Sequence, residues 1–389
     1  MTPHAIYLDH HATTPVDPRV VDAMLPFFTV SFGNPASRTH AFGWEAAQAV
    51  ENSRAQVATL IGASPEEIVF TSGATESNNL AIFGAIEGYG VRQIVTARTE
   101  HPSVLEPVQH ISRGSDCRVR YLPLDRHGII PAESVSPVPG REAVLVSVML
   151  ASNEIGTIQD LAALGRILKR PGVIIHSDAA QAVGHIPVDV NALGVDLLSL
   201  SAHKLHGPKG VGALYVRDPG ALPGLAPRVR GGGQERDIRA GTLNVPGIVG
   251  LGAACAICAD EMATETRRVA MLRDRLQQRL ITSIEGVTLN GHPERRLPGN
   301  LNLCLSGVDG EALIGDLDNV ALSTGSACSS ADATPSHVLL ALDQSPDQAR
   351  SAVRFGLGRF TTVDEIDTVA DRVVRSVDRL RRLSPFDRP

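Results

Sequence analysis

The stretch from Val195 to Gly210 constrains this chain more than any other. Val195 to Leu200 reads as a buried strand, and it stops abruptly at Ser201, Ala202, His203 and Lys204 before a Gly/Pro turn. A lysine so placed is delivered by a strand to the mouth of a sheet, where open α/β folds bind their ligands. Desolvation there disfavours the ammonium, and an amine of lowered pKa is what a Schiff base with an aldehyde cofactor requires. A strand-end lysine that snorkels to water is the plain alternative. A second strand, Val173 to Ile175, shifts the balance, because it runs into His176, Ser177 and Asp178 and then Gln181. Two strand ends thus bring a carboxylate and a lysine to one edge. Pyridoxal phosphate needs that pair, the lysine for its aldehyde and the acid for its pyridine nitrogen.

At 389 residues the chain is long for one domain, and two are expected. They are drawn as a large domain over residues 15–258 and a small one made of residues 1–14 and 259–389. A net charge of −6 and the lack of a dense Lys/Arg block argue against a nucleic-acid partner. The cysteines, Cys117, Cys255, Cys258, Cys304 and Cys328, are odd in number and scattered, which points away from a disulfide framework and towards a reducing compartment. Cys255 and Cys258 share a helix face in Ala-rich surroundings and read as core, with a zinc or redox pair as the alternative. The amino terminus lacks the basic start of a signal peptide, and no apolar stretch approaches the roughly 18 residues of a membrane span. A cytoplasmic protein with no membrane partner is expected.

Alternating strands and helices from about residue 66 to 216 describe a doubly wound α/β domain. Ile68 to Phe70 leads through Thr71, Ser72 and Gly73 to a helix opening at Ala74 and Thr75. Free backbone N–H groups, a hydroxyl and the helix dipole together make a phosphate cup, though an empty Ser/Thr cap has the same sequence. Strand ends also supply His101 and Asn153. Arg228 to Thr242 is polar and glycine-rich and reads as a mobile loop. Adjacent His10 and His11 suggest a metal, but neighbours on an extended chain point apart and no further ligand follows. Cys304 sits in an apolar alternation and reads as core, whereas Cys328 has neighbours too small to bury it. Arg354 offers a planar guanidinium that suits an amino-acid carboxylate or an ion pair within the fold.

Asp178-Ala-Ala-Gln181 followed by Ser201-Ala-His-Lys204 resembles the cofactor site of the class V aminotransferases and, among them, of the NifS/IscS-like cysteine desulfurases. The likeness runs from Tyr7-Leu-Asp-His-His-Ala-Thr-Thr-Pro15 to Val353-Arg-Phe-Gly-Leu-Gly-Arg359, and Ser323-Thr-Gly-Ser-Ala-Cys-Ser-Ser330 is similar to the long catalytic loop of their first group, about residues 321–334. It implies fold type I of the pyridoxal-phosphate enzymes, with a large doubly wound domain and a smaller α+β domain. It implies that L-cysteine is converted to L-alanine with a persulfide on Cys328, for an iron–sulfur scaffold or another acceptor. Lys204 would carry pyridoxal 5′-phosphate as a Schiff base, and His101 would stack on the ring and move protons. Ala74, Thr75, Ser201 and His203 would hold the phosphate, Asn153 and Gln181 the ring oxygen, and Asp178 the ring nitrogen. Asn34 and Arg354 would bind the substrate carboxylate. Thr242 would reach the phosphate of a neighbouring subunit, which implies a homodimer with shared sites. No resident metal is implied, Cys328 being open only to transient iron–sulfur ligation. Gly356 stands where the family has serine, Ser152 where it often has asparagine, and the segment after Leu383 is short. A cysteine lyase releasing pyruvate, a selenocysteine lyase and a catalytically silent partner-binding subunit are the rival readings.

Overall fold

The structure, a computed structural model, describes residues 5–218, 224–325 and 335–383. Its centre is a seven-stranded sheet of β1 (Ile68–Thr71), β2 (Gln93–Thr96), β3 (Arg118–Tyr121), β4 (Val144–Ser147), β5 (Val173–Asp178), β6 (Leu197–Ser201) and β7 (Gly212–Val216). The spatial order is β1-β7-β6-β5-β4-β2-β3. β2 to β6 pair in parallel, whereas β7 runs antiparallel to both β6 and β1. The reversal departs from a purely parallel reading of the alternation. Its cause is the short link from Leu205 to Val211, since a parallel return needs a crossover of a dozen or more residues.

Side chains alternate between two apolar layers, so both faces are covered. Val144, Val146, Ile175 and Leu200 join one cluster with the Ala41–Ile61 helix and the first half of Val245–Ser283. Leu145, Ile174 and Leu197 join the other with the helices Ala74–Tyr89 and Pro102–Gly114. Burial on both faces explains why these strands read as nearly unbroken apolar runs. The 39-residue helix Val245–Ser283 is long and apolar enough to cross a membrane, contrary to the expectation that no stretch was. Half of its most apolar window is buried inside this fold, Cys255 and Cys258 included, as the core reading of those cysteines expected.

A third cluster gathers Leu272, Leu276 and Leu280 from the second half of that helix, the antiparallel strands Asn300–Leu305 and Ala352–Gly356, and one face of the final helix Val363–Leu383. Ile6–Tyr7 pairs in parallel with Val320–Ala321, which ties the start of the chain to this layer. Cys304 is buried in a fourth cluster.

Candidate active site

Because only β7 is reversed, the carboxyl ends of β1, β2, β4, β5 and β6 open on one edge. They border a cavity of about 540 Å³ lined by Ala74, Thr75, His101, Asn153, Asp178, Gln181, Ser201, His203, Lys204 and Arg354. Ten of the sequence-derived site residues therefore converge. Lys204 ends the turn after β6, half-buried, with Nζ donating to the backbone oxygens of His11 at 2.5 Å and Ala12 at 2.8 Å. Asp178 closes β5 at 7% exposure, its Oδ1 accepting the Ala180 N–H at 3.0 Å and its Oδ2 the Asn78 Nδ2 at 2.7 Å.

His101 caps the Pro102–Gly114 helix, and its Nδ1 accepts the Ser103 N–H at 3.1 Å. Nδ1 is thus the bare nitrogen of the neutral ring, and the proton sits on Nε2. Burial lowers the His101 pKa, with Asp178 acting against the shift and Lys204 and His337 with it. Ser103 Oγ stands 2.7 Å from the same Nδ1 and accepts Asn78 Nδ2 at 2.8 Å, so Asn78 and Ser103 link Asp178 to His101. Sequence reasoning assigned neither. The only signal was position, one turn into the helix that opens at Ala74 and two residues past His101.

Arg354 comes from the smaller layer, its side chain 4% exposed. Nη2 pairs with Asp9 Oδ1 at 2.9 Å, Nη1 donates to Asn153 O at 3.0 Å, and the buried Nε has no partner among the described residues.

Three assigned residues are not brought to this cavity. Asn34 is exposed, its Oδ1 taken by the Ala36 N–H at 2.9 Å, and it borders a separate cavity with Arg54, Glu235 and Leu243. Thr242 is exposed and lines neither cavity. Thr242 was assigned to the phosphate of a neighbouring subunit, so this chain's own cavity is not where it was expected, and Asn34 stands apart from the cavity that Arg354 lines. Cys328 lies outside the described residues. The stretch expected to be a loose loop is instead pinned, because Glu235 is buried and accepts Arg54 Nη2 at 2.8 Å and the Phe70 N–H at 2.7 Å. His10 and His11 turn to different partners, His10 Nδ1 to Gly356 O at 2.8 Å and His11 Nδ1 to Gln181 Oε1 at 2.9 Å.

The class-V aminotransferase model matches residues 6–369. The chain belongs to the class-V aminotransferase family. A Rickettsia africae (strain ESF-5) protein named cysteine desulfurase IscS is 48% identical over 383 residues, 98% of this chain and 93% of that one. A mitochondrial cysteine desulfurase of Arthroderma benhamiae is 50% identical over 385 residues, 98% of this chain and 76% of its own length. A solved NifS-like protein superposes with a TM-score of 0.86 at 35% identity, covering 96% of this chain and 99% of that one.

Class-V aminotransferases and the cysteine desulfurases among them are pyridoxal-phosphate enzymes, and this cavity fits that group. The Ala74–Tyr89 helix starts on Gly73, which offers no side-chain cap, so its first-turn N–H groups are open to an anion. Gly73 has φ 151°, a backbone that favours glycine, and a Cβ there would meet Ser201 Oγ at 3.6 Å. Gly212 must stay small for a steric reason, because a Cβ would stand 2.7 Å from Gly73 Cα, whereas the constraint on Gly73 is its φ. Burial, then the ammoniums of Lys204 and Lys209, lower His203 to a pKa of about 4 in the protein alone. The donor set of cup, acid and lysine is the one the cofactor calls for.

Proposed function

We propose that this class-V aminotransferase is a cysteine desulfurase that converts L-cysteine to L-alanine and passes the sulfur on as a persulfide. The observation that carries the reading is the meeting of Lys204, Asp178 and the Gly73–Thr75 cup in one cavity, with Arg354 entering from the smaller layer. Bound pyridoxal phosphate supplies an electron sink for the substrate α-carbon. Lys204 Nζ takes the α-proton, and Asp178 holds charge at the ring nitrogen. Arg354 binds the substrate carboxylate with its guanidinium, and His101 Nε2 exchanges the proton of the substrate thiol. The Cys328 thiolate attacks the substrate sulfur; an S–S bond forms, the C–S bond breaks, and its electron pair goes to carbon, which is protonated to give alanine.

We further infer a homodimer. Leu25, Phe28, Val30, Phe32, Phe42 and Trp44 are exposed on one segment, an apolar area suited to a second copy. Asn34 belongs to that segment, and Thr242 adjoins the Leu243 that shares its cavity. Covering this face would bring Thr242 towards the neighbour's phosphate cup, the role the resemblance gives it, and would let Asn34 approach the same cavity. The acceptor is an iron–sulfur scaffold or another thiol protein, in keeping with the IscS name of the relatives.

The test is one turnover with cysteine labelled in its sulfur, followed by peptide mapping. Label on the peptide carrying Cys328, released by a thiol reductant, is expected. Label on any other peptide would overturn the assignment of Cys328.

A further inference from the structure

Of the adjacent histidines only His11 lines the active cavity, and it is 6% exposed. Its Nδ1 lies 2.9 Å from Gln181 Oε1, and its backbone oxygen accepts Gln181 Nε2 at 3.0 Å. The direction of both bonds follows from the groups. A carbonyl oxygen cannot donate, so the nitrogen end of the Gln181 amide must face His11 O. The oxygen end then faces the ring, and Nδ1 must carry the hydrogen. His11 Nε2 is left as a bare lone pair, and it is buried with no partner among the described residues. His11 also borders, with His185, a void of about 20 Å³, room for a single water.

We propose that His11 is a positioning residue that locks the amide of Gln181, so that Gln181 presents an N–H, and never its oxygen, to the phenolic oxygen of bound pyridoxal phosphate. The inference rests on the cofactor reading of the cavity. Gln181 has two amide hydrogens; one is spent on His11 O, and the other is the donor left for the cavity that Gln181 lines. Turning the amide over would set Oε1 against the His11 carbonyl and against the phenolic oxygen, two unsatisfied contacts at once. Burial and then the Arg354 guanidinium hold the His11 pKa well below its ordinary 6.5, so the lock adds no positive charge beside Lys204. The same residue steadies the lysine, since His11 O also accepts Lys204 Nζ.

The test is a pH titration of the cofactor absorption band in purified holoenzyme. A donor on the phenolic oxygen draws off electron density that would otherwise hold the proton on the neighbouring nitrogen joined to Lys204. His11→Ala removes the ring N–H that holds Oε1 and leaves the amide on the backbone oxygen alone, and the midpoint is expected to rise by up to about one pH unit, the size of one hydrogen bond. His11→Asn, whose Nδ2–H can replace Nδ1–H, restores the original midpoint. In a Gln181→Ala background His11→Ala adds no shift, because it acts through Gln181. An unmoved midpoint in His11→Ala, or an equal shift with Gln181 already removed, overturns the proposal. Should His11→Ala fail to fold, His11→Asn and His11→Leu carry the same comparison, and equal midpoints in the two would contradict it. Failure of the cofactor reading looks different, for then the unaltered protein has no band to titrate.

Discussion

Asn78 holds Asp178 from the neighbouring helix, its Nδ2 standing 2.7 Å from the carboxylate Oδ2. The same amide nitrogen reaches Ser103 Oγ at 2.8 Å, so one side chain holds the Asp178 carboxylate and, through Ser103, the tautomer of His101. Asn78→Ala removes a hydrogen bond to a charged acceptor, worth about 1.5–3 kcal/mol. Cofactor affinity should fall about tenfold to a hundredfold, read by titrating the apoprotein with pyridoxal phosphate. Unchanged affinity would show that Asp178 needs no such support.

How much of this was legible in the sequence depended on where each residue sits in an element. Strand ends announce themselves, because an apolar run that stops on Asp178 or on Ser201 to Lys204 marks both the strand and the edge it serves. Asn78 and Ser103 give no such mark. They lie on helices, and their meeting depends on the order β6-β5-β4-β2, which places the helices after β1 and β2 over one face. The reversal of β7 was implicit in the short Leu205–Val211 link, but the apolar character of Gly212–Val216 says nothing of direction. Arg228 to Thr242 misled for a similar reason: its composition is that of a loose loop, yet one buried carboxylate pins it.

That carboxylate makes a stability prediction. Glu235 and Arg54 form a buried pair, with side chains 2% and 6% exposed, and Glu235 also caps the free Phe70 N–H on the edge strand β1. Glu235 and Arg236 hold φ of 46° and 56°, a left-handed backbone that non-glycine residues keep only when their contacts require it. Glu235→Ala leaves Arg54 with Glu51 as its charged partner and the Phe70 N–H uncapped, and should cost about 1–3 kcal/mol in urea unfolding at fixed protein concentration. A loss under about 1 kcal/mol would mean that the pair does not pin the loop.

His176 links stability to pH. It is fully buried on β5 between Ser147 Oγ, 2.9 Å from Nδ1, and Ser199 Oγ, 3.0 Å from Nε2. Burial holds its pKa at about 4 against an ordinary 6.5, with Asp178 acting in the opposite sense. As pH falls through 6.5 the unfolded chain takes up a proton that the folded chain refuses. Its contribution is therefore present above pH 6.5 and is lost towards pH 4, at no more than about 1.4 kcal/mol per pH unit. Unfolding free energies measured across that window should fall less steeply in His176→Gln than in the unaltered protein. Identical slopes would remove His176 from the account.

The fate of the substrate carbon separates a desulfurase from a lyase. Purified protein mixed with L-cysteine in the absence of reductant should give one equivalent of L-alanine per site and then stop, with the sulfur held on Cys328. Lys204→Ala should give none, and Cys328→Ser should retain the bound cofactor yet form no persulfide. Pyruvate as the carbon product, or alanine formed by Cys328→Ser as fast as by the unaltered protein, would contradict the account.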